Sequence, residues 1–172
     1  FLDRLDAEFA LTSPRHDGFD TAGAIEAFVD GRAKVLFCLG GNFSRAIPDT
    51  DVADAAIARA RLTVHVSTKL NRSHAICGDT ALILPTLGRT EIDHQLAGDQ
   101  FVTVEDSMGL VHRSRGVLQP ASPFLRSEMA IVTGVAQALF GPASPIDWAG
   151  FRHDYGTVRD HISRVVPGFD DF

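Results

Sequence analysis

Residues 33–44, Ala33-Lys34-Val35-Leu36-Phe37-Cys38-Leu39-Gly40-Gly41-Asn42-Phe43-Ser44, constrain the fold more than any other stretch of the chain. The run starts apolar, the pattern of a strand over about 33–39 buried on both faces. It then breaks into Gly-Gly-Asn, residue types that tolerate positive φ and let a ligand approach the backbone closely. Pro48-Asp49-Thr50-Asp51 supplies turn and cap residues for a helix near 51–60, where Val52, Ala55, Ala56 and Ala60 recur at helical spacing. Strand, glycine turn and helix is the layout in which α/β domains offer backbone N–H groups to a phosphate. Neither GxGxxG nor GxxxxGK[ST] is present, so the two common nucleotide fingerprints are absent.

Leu62-Thr63-Val64-His65-Val66 reads as a second parallel strand, completing a βαβ unit with a right-handed crossover. Its exit, Ser67-Thr68-Lys69-Leu70-Asn71-Arg72-Ser73-His74, is a polar loop in the same relative place as Gly40-Gly41-Asn42. Ligands of open α/β sheets bind beyond the carboxyl ends of the strands, so both loops are expected to face one crevice. Ala81-Leu82-Ile83-Leu84, stopped by Pro85, reads as a third buried strand. Before this core, Phe1, Leu2, Leu5 and Phe9 mark a short helix, and Asp20 or Thr21 caps another over roughly 21–30. After it, 100–113 reads as an antiparallel excursion with a glycine turn. Helices follow near 125–140, with Met129, Val132, Val135, Ala136 and Leu139 on one face, from Ser144-Pro145 and from Thr157 to Val166. The fold class implied is α/β: a Rossmann-like three-layer domain over 1–172, mainly parallel, with a core at 30–142 and C-terminal helices at 143–166.

The 172 residues suit one domain able to bury a core without disulfides or a structural metal. Net charge is −6 with basic residues scattered among acidic ones, which argues against general nucleic-acid or anionic-membrane binding. A small anion held by backbone donors is compatible with it. Cys38 and Cys77 form no ligand spacing; Cys38 reads as a small hydrophobe in a strand and Cys77 as more accessible. Two such cysteines, with no apolar run of membrane length and no signal peptide, lead us to expect a cytoplasmic protein. The chain opens on Phe1 without an initiator Met, which suggests processing or excision from something longer.

Catalytic constellations are weak by comparison. Seven histidines include no HxH or HExxH, and His65, pointing toward the crevice mouth, is the first exception to a structural role. Ser44, Ser67 and Ser73 lack a GxSxG elbow, so hydrogen bonding is their expected work. A small hydrolase would need Ser44 or Ser67 bonded to His65 or His74. Glu91 and Asp93 are a candidate carboxylate pair by sequence proximity alone, and Glu105-Asp106 reads as a turn. The residues themselves point to a nucleotide-like crevice without catalytic machinery, which a free-standing nucleotide-binding or regulatory α/β module would also satisfy.

Taken in order, Leu39-Gly40-Gly41-Asn42-Phe43, Val66-Ser67-Thr68-Lys69-Leu70-Asn71-Arg72-Ser73-His74, Asp79-Thr80-Ala81-Leu82-Ile83-Leu84-Pro85 and Val102-Thr103-Val104-Glu105-Asp106-Ser107-Met108-Gly109 carry a resemblance. The chain resembles the molybdopterin oxidoreductases of the dimethyl-sulfoxide-reductase superfamily, and within it the formate-dehydrogenase-related alpha subunits. The resemblance spans roughly 30–142, and the Asp79–Pro85 element is a looser, permuted version of the family's strand end. It implies a much longer catalytic subunit in which two pterin guanine dinucleotides chelate molybdenum or tungsten. An iron–sulfur cluster is expected elsewhere in that parent, and the metal ligand comes from another segment. This chain would then be one cofactor-binding domain, inactive alone, with the remaining domains of the parent subunit as its partners and no nucleic acid or membrane insertion. By position, Gly40, Gly41, Asn42, Phe43 and Ser44 would face the cofactor's pyrophosphate. Ser67, Thr68, Lys69, Leu70 and Asn71 would lie by the guanosine, although His65-Val66-Ser67 stands where many relatives carry an acid. The implied activity is two-electron transfer at the metal, with formate oxidation to carbon dioxide as the reaction of that branch.

Overall fold

A computed structural model describes residues 1–170. In chain order the elements are α1 (Leu2–Phe9), α2 (Thr21–Val29), β1 (Val35–Leu39), α3 (Phe43–Ala46), α4 (Thr50–Ile57), β2 (Leu62–Ser67) and β3 (Thr80–Pro85). There follow β4 (His94–Gln95), β5 (Gly98–Asp99), β6 (Val102–Glu105), β7 (Val111–Ser114), α5 (Glu128–Phe140), α6 (Trp148–His153) and α7 (Tyr155–Val165). The class is α/β and Rossmann-like, as the sequence implies: a three-stranded parallel sheet with small antiparallel pairs and helices. Two compact units divide the chain, one from His16 to Thr86 and one from Phe1 to Arg15 with Leu87 onward. The division at 86/87 falls inside the stretch 30–142.

In the His16–Thr86 unit the strands lie in the order β1-β2-β3, all parallel, with Cys38 opposite His65 and His65 opposite Ile83. Asp20 starts α2 by accepting the Gly23 N–H at 2.7 Å, and the buried cluster is Phe28, Ala56 and Ala60 with Ile25, Ala33 and Leu36 around it. The small side chains at Ala53 and Ala56 let α4 sit close to α2. Only β2 is buried along its length. β1 and β3 are edge strands, so the expectation of burial on both faces fails for them: Phe37 is 41% exposed and Leu82 46%. Gly78 is required by packing, since a Cβ there would lie 1.9 Å from the Ala60 carbonyl oxygen.

In the other unit, Val102 pairs with Ser114 and Glu105 with Val111 in the expected antiparallel excursion. Asp106 holds its turn by accepting the N–H groups of Met108 and Leu110 and Nε2 of His112, and Gly109 supplies φ 77°. α5 keeps only part of its expected face: Ala136 is buried as expected, but so is Thr133, whereas Leu139 is 73% exposed. Thr133 is tolerated there because its hydroxyl donates back to the Met129 carbonyl at 2.6 Å. α6 begins at Trp148 rather than from Ser144-Pro145, because Asp147 is the residue that caps it, accepting the Gly150 N–H at 2.9 Å.

Candidate functional site

The chain leaves β1 through Gly40 (φ 70°) and Gly41 (φ 75°), conformations that L side chains rarely adopt, with open space where a Cβ would stand. The loop after β2 is tied to this turn by side chains. Asn71 Nδ2 donates to the Gly41 carbonyl at 2.8 Å. Ser73 Oγ donates to Asn42 Oδ1 at 2.9 Å and accepts the Ser44 N–H at 2.9 Å. Asn71 Oδ1 accepts the Ser73 N–H at 3.0 Å, fixing the 3-10 turn Arg72–Ala75 from which Ser73 projects. Two loops about thirty residues apart in sequence are thereby held as one cradle beyond the carboxyl ends of β1 and β2.

The expected residues differ in their surroundings. The N–H groups of Gly41 and Asn42 have no protein acceptor among the described residues. Because a trans peptide points its C=O and N–H in opposite directions, anchoring the Gly41 carbonyl to Asn71 aims the Asn42 N–H away from the second loop. Phe43 opens the single-turn α3. Ser44 is fully buried, its N–H on Ser73 and its hydroxyl on Asp54 Oδ1 at 2.7 Å, so it supports the cradle from inside. Ser67 turns its hydroxyl to the Lys69 carbonyl, and Thr68, Lys69 and Leu70 are exposed at the rim. Asp54 also pairs with Arg72 at 3.8 Å, and Asp49 caps α4.

His65 is not at the crevice mouth. It is 5% exposed, its ring 4.7 Å from that of His74, and burial, then the neighbouring His74, holds its pKa below the ordinary histidine value. Nε2 of both rings is buried without a hydrogen-bond partner among the described residues. The serine hydroxyls go to Asp54, Lys69 and Asn42, and no serine–histidine hydrogen bond is formed among the described residues. No group of three metal-ligating side chains occurs among them either. Cys38 is half-buried and its thiol pushed up by that burial, while Cys77 is exposed.

The second unit holds a cavity of about 860 Å³ that the sequence did not reveal, lined among others by Asp93, His94, Gln95, Ser127, Arg152 and His153. Behind it Tyr155 donates to Asp93 and meets Ser127 Oγ at 2.7 Å, while Gln95 Nε2 donates to Asp93 at 2.6 Å. Burial, then the Asp93 carboxylate, pushes the Tyr155 phenol far above its usual range. Glu91 is occupied in holding loops, accepting the N–H groups of Gly88 and Ala121, which keep its carboxyl below the usual range. Glu91 and Asp93 therefore have separate structural partners.

Fold and site together define an α/β Rossmann-like chain whose first two strand-exit loops are hydrogen-bonded to each other at the carboxyl ends of parallel strands. No protein-family profile matches it. Along its whole length it is 57% identical to proteins of Mycobacterium tuberculosis and Mycobacterium bovis, each named an uncharacterized oxidoreductase, and 45% identical to Protein YdeP of Escherichia coli. The chain spans 22% of the length of each of these relatives. Among the described residues no helix is long and apolar enough to cross a membrane.

Proposed function

We propose that this chain is a cofactor-binding part of a larger oxidoreductase and that its cradle takes the diphosphate of a pterin guanine dinucleotide. The observation that carries the reading is the cross-loop bonding of Asn71 and Ser73, which fixes Gly41 and Asn42 with their N–H groups unspent. An anionic diphosphate needs convergent donors at close approach, and the open space over both glycines admits it. The names of the relatives support redox chemistry for the longer protein. The sequence resemblance supports molybdenum as the metal, which would supply two-electron transfer, with formate as the first substrate to test. This chain's part is to bind and orient: Gly41 and Asn42 donate, Ser44 and Ser73 brace the turn, and Thr68 and Lys69 offer polar groups at the rim. On this reading the metal's protein ligand comes from another segment of the longer protein.

The test is to purify the full polypeptide that contains this chain, measure molybdenum and tungsten, and identify released pterin by its fluorescence. Metal and pterin in stoichiometric amounts are expected, with loss of both in Gly41→Val. Neither metal nor pterin in folded protein would overturn the reading.

A further inference from the structure

The sheet that carries the cradle has an unguarded edge. Among the described residues β1 pairs with β2 alone. Exposed edges of natural sheets are blunted by charge, proline or bulges, because a free row of N–H and C=O groups templates further pairing. β1 has none of these: it reads Val-Leu-Phe-Cys-Leu, with Val35 57%, Phe37 41% and Leu39 52% exposed. The Gly40 N–H donates to the Val66 carbonyl and the Lys34 carbonyl accepts from Leu62, so the even-numbered residues face β2. By alternation the backbone N–H groups of Val35, Phe37 and Leu39 point outward.

The order of the strands says what belongs there. β1-β2-β3 is one half of the doubly wound order, in which the next strand lies against the first and the chain reverses direction between them. The ligand crevice of such sheets opens at that reversal, beside the loop after the first strand. The Gly40-Gly41 turn is the loop that follows β1, the strand that carries the free edge. We infer that a fourth, parallel strand from polypeptide outside residues 1–172 pairs with the free edge of β1, and that its exit loop forms the second wall of the crevice. The relatives have room for it, since the matched region is 22% of their length. The second wall deepens the proposed function and rests on it; the strand rests on the edge alone.

Amide hydrogen exchange resolved to single residues in the full polypeptide tests this with an internal control. Leu36 and Cys38, which face β2, set the protection of a paired amide. Phe37 and Leu39 are expected within about tenfold of that protection. Exchange at Phe37 and Leu39 on the order of 100-fold faster than at Leu36 and Cys38 would overturn the inference. Protection of Phe37 and Leu39 that vanishes on dilution would overturn it too, because the edge would then be covered by a second copy. Full, concentration-independent protection in a protein that contains no pterin would support the strand while removing the cofactor reading.

Discussion

Replacing Ser73 by alanine removes one oxygen that two loops depend on. Ser73 is 4% exposed, and its Oγ is the acceptor for the N–H of Ser44, itself 0% exposed. Water has no route to that amide in the native packing, so its stranding costs about 1–3 kcal/mol. The second bond, to Asn42 Oδ1, adds about 1 kcal/mol or less, since Asn42 is only half-buried and can recover a water. We expect a loss of about 2–3 kcal/mol. With a urea dependence of about 2 kcal/mol/M for a chain of this size, the midpoint should fall by about 1–1.5 M at unchanged slope. The single tryptophan, Trp148, belongs to the other unit, so the transition must be followed through β2 amides or far-ultraviolet dichroism. Ser67→Ala is the control: its hydroxyl only reaches the Lys69 carbonyl within an exposed loop, and the expected change is within about 0.5 kcal/mol. If Ser73→Ala and Ser67→Ala shift the midpoint equally, the two loops are not energetically coupled and the account of the cradle is wrong.

Gly78→Ala places a Cβ 1.9 Å from the Ala60 carbonyl, a backbone atom that cannot step aside, and should cost about 3 kcal/mol or more in urea unfolding. His65 has a folded pKa below its unfolded one, so the unfolded state binds the proton first as pH falls. Its contribution to stability is therefore intact above the ordinary histidine pKa of about 6.5 and declines as pH drops from there toward the folded pKa, by up to about 1.4 kcal/mol per pH unit. His65→Gln should flatten that slope between pH 7 and 5, and an unchanged slope would refute the assignment. Tyr155→Phe removes the hydroxyl shared by Asp93 and Ser127 and should cost about 1–3 kcal/mol, read by Trp148 fluorescence during unfolding.

What the sequence made legible was local. The apolar run ending in Gly40-Gly41, the turn residues before α4, the Asp20 cap and the Asp106 turn each declare themselves within a few residues, and each stands where it was expected. Burial of β1 and β3 was misread because an apolar run states that a strand wants cover, not whether a neighbour is present to give it. The bonds that build the cradle join residues 29 to 31 positions apart, and the Tyr155–Asp93 bond spans 62. Asparagine and serine in a polar loop look alike whether they meet a ligand, solvent or another loop. His65 shows the same blindness: period-2 alternation gives its face but not what stacks on it.

These bonds also separate two roles that the sequence merges. Asn71 was placed among the ligand-facing residues, yet its Nδ2 is committed to the Gly41 carbonyl, and its Oδ1 to the Ser73 N–H. Its work on a bound anion is then indirect. A carbonyl facing a diphosphate repels it, and the Gly41 peptide, unrestrained at φ 75° in a glycine turn, can flip to present one. Asn71 holds it in the orientation that presents the Asn42 N–H instead. Asn71→Asp keeps the shape and the Oδ1 acceptor but sets a carboxylate oxygen against the Gly41 carbonyl, so the flipped peptide is favoured. Guanosine diphosphate is the probe for the cradle in the full polypeptide produced without its cofactor. The positioning role predicts that Asn71→Asp weakens it at least about tenfold, about 1.4 kcal/mol, while Asn71→Ala loses less. The amide shift of Asn42 should move in the ligand-free Asn71→Asp protein, reporting the flip before any anion is added. An Asn42 shift that stays put while affinity falls would mean that Asn71 meets the anion itself.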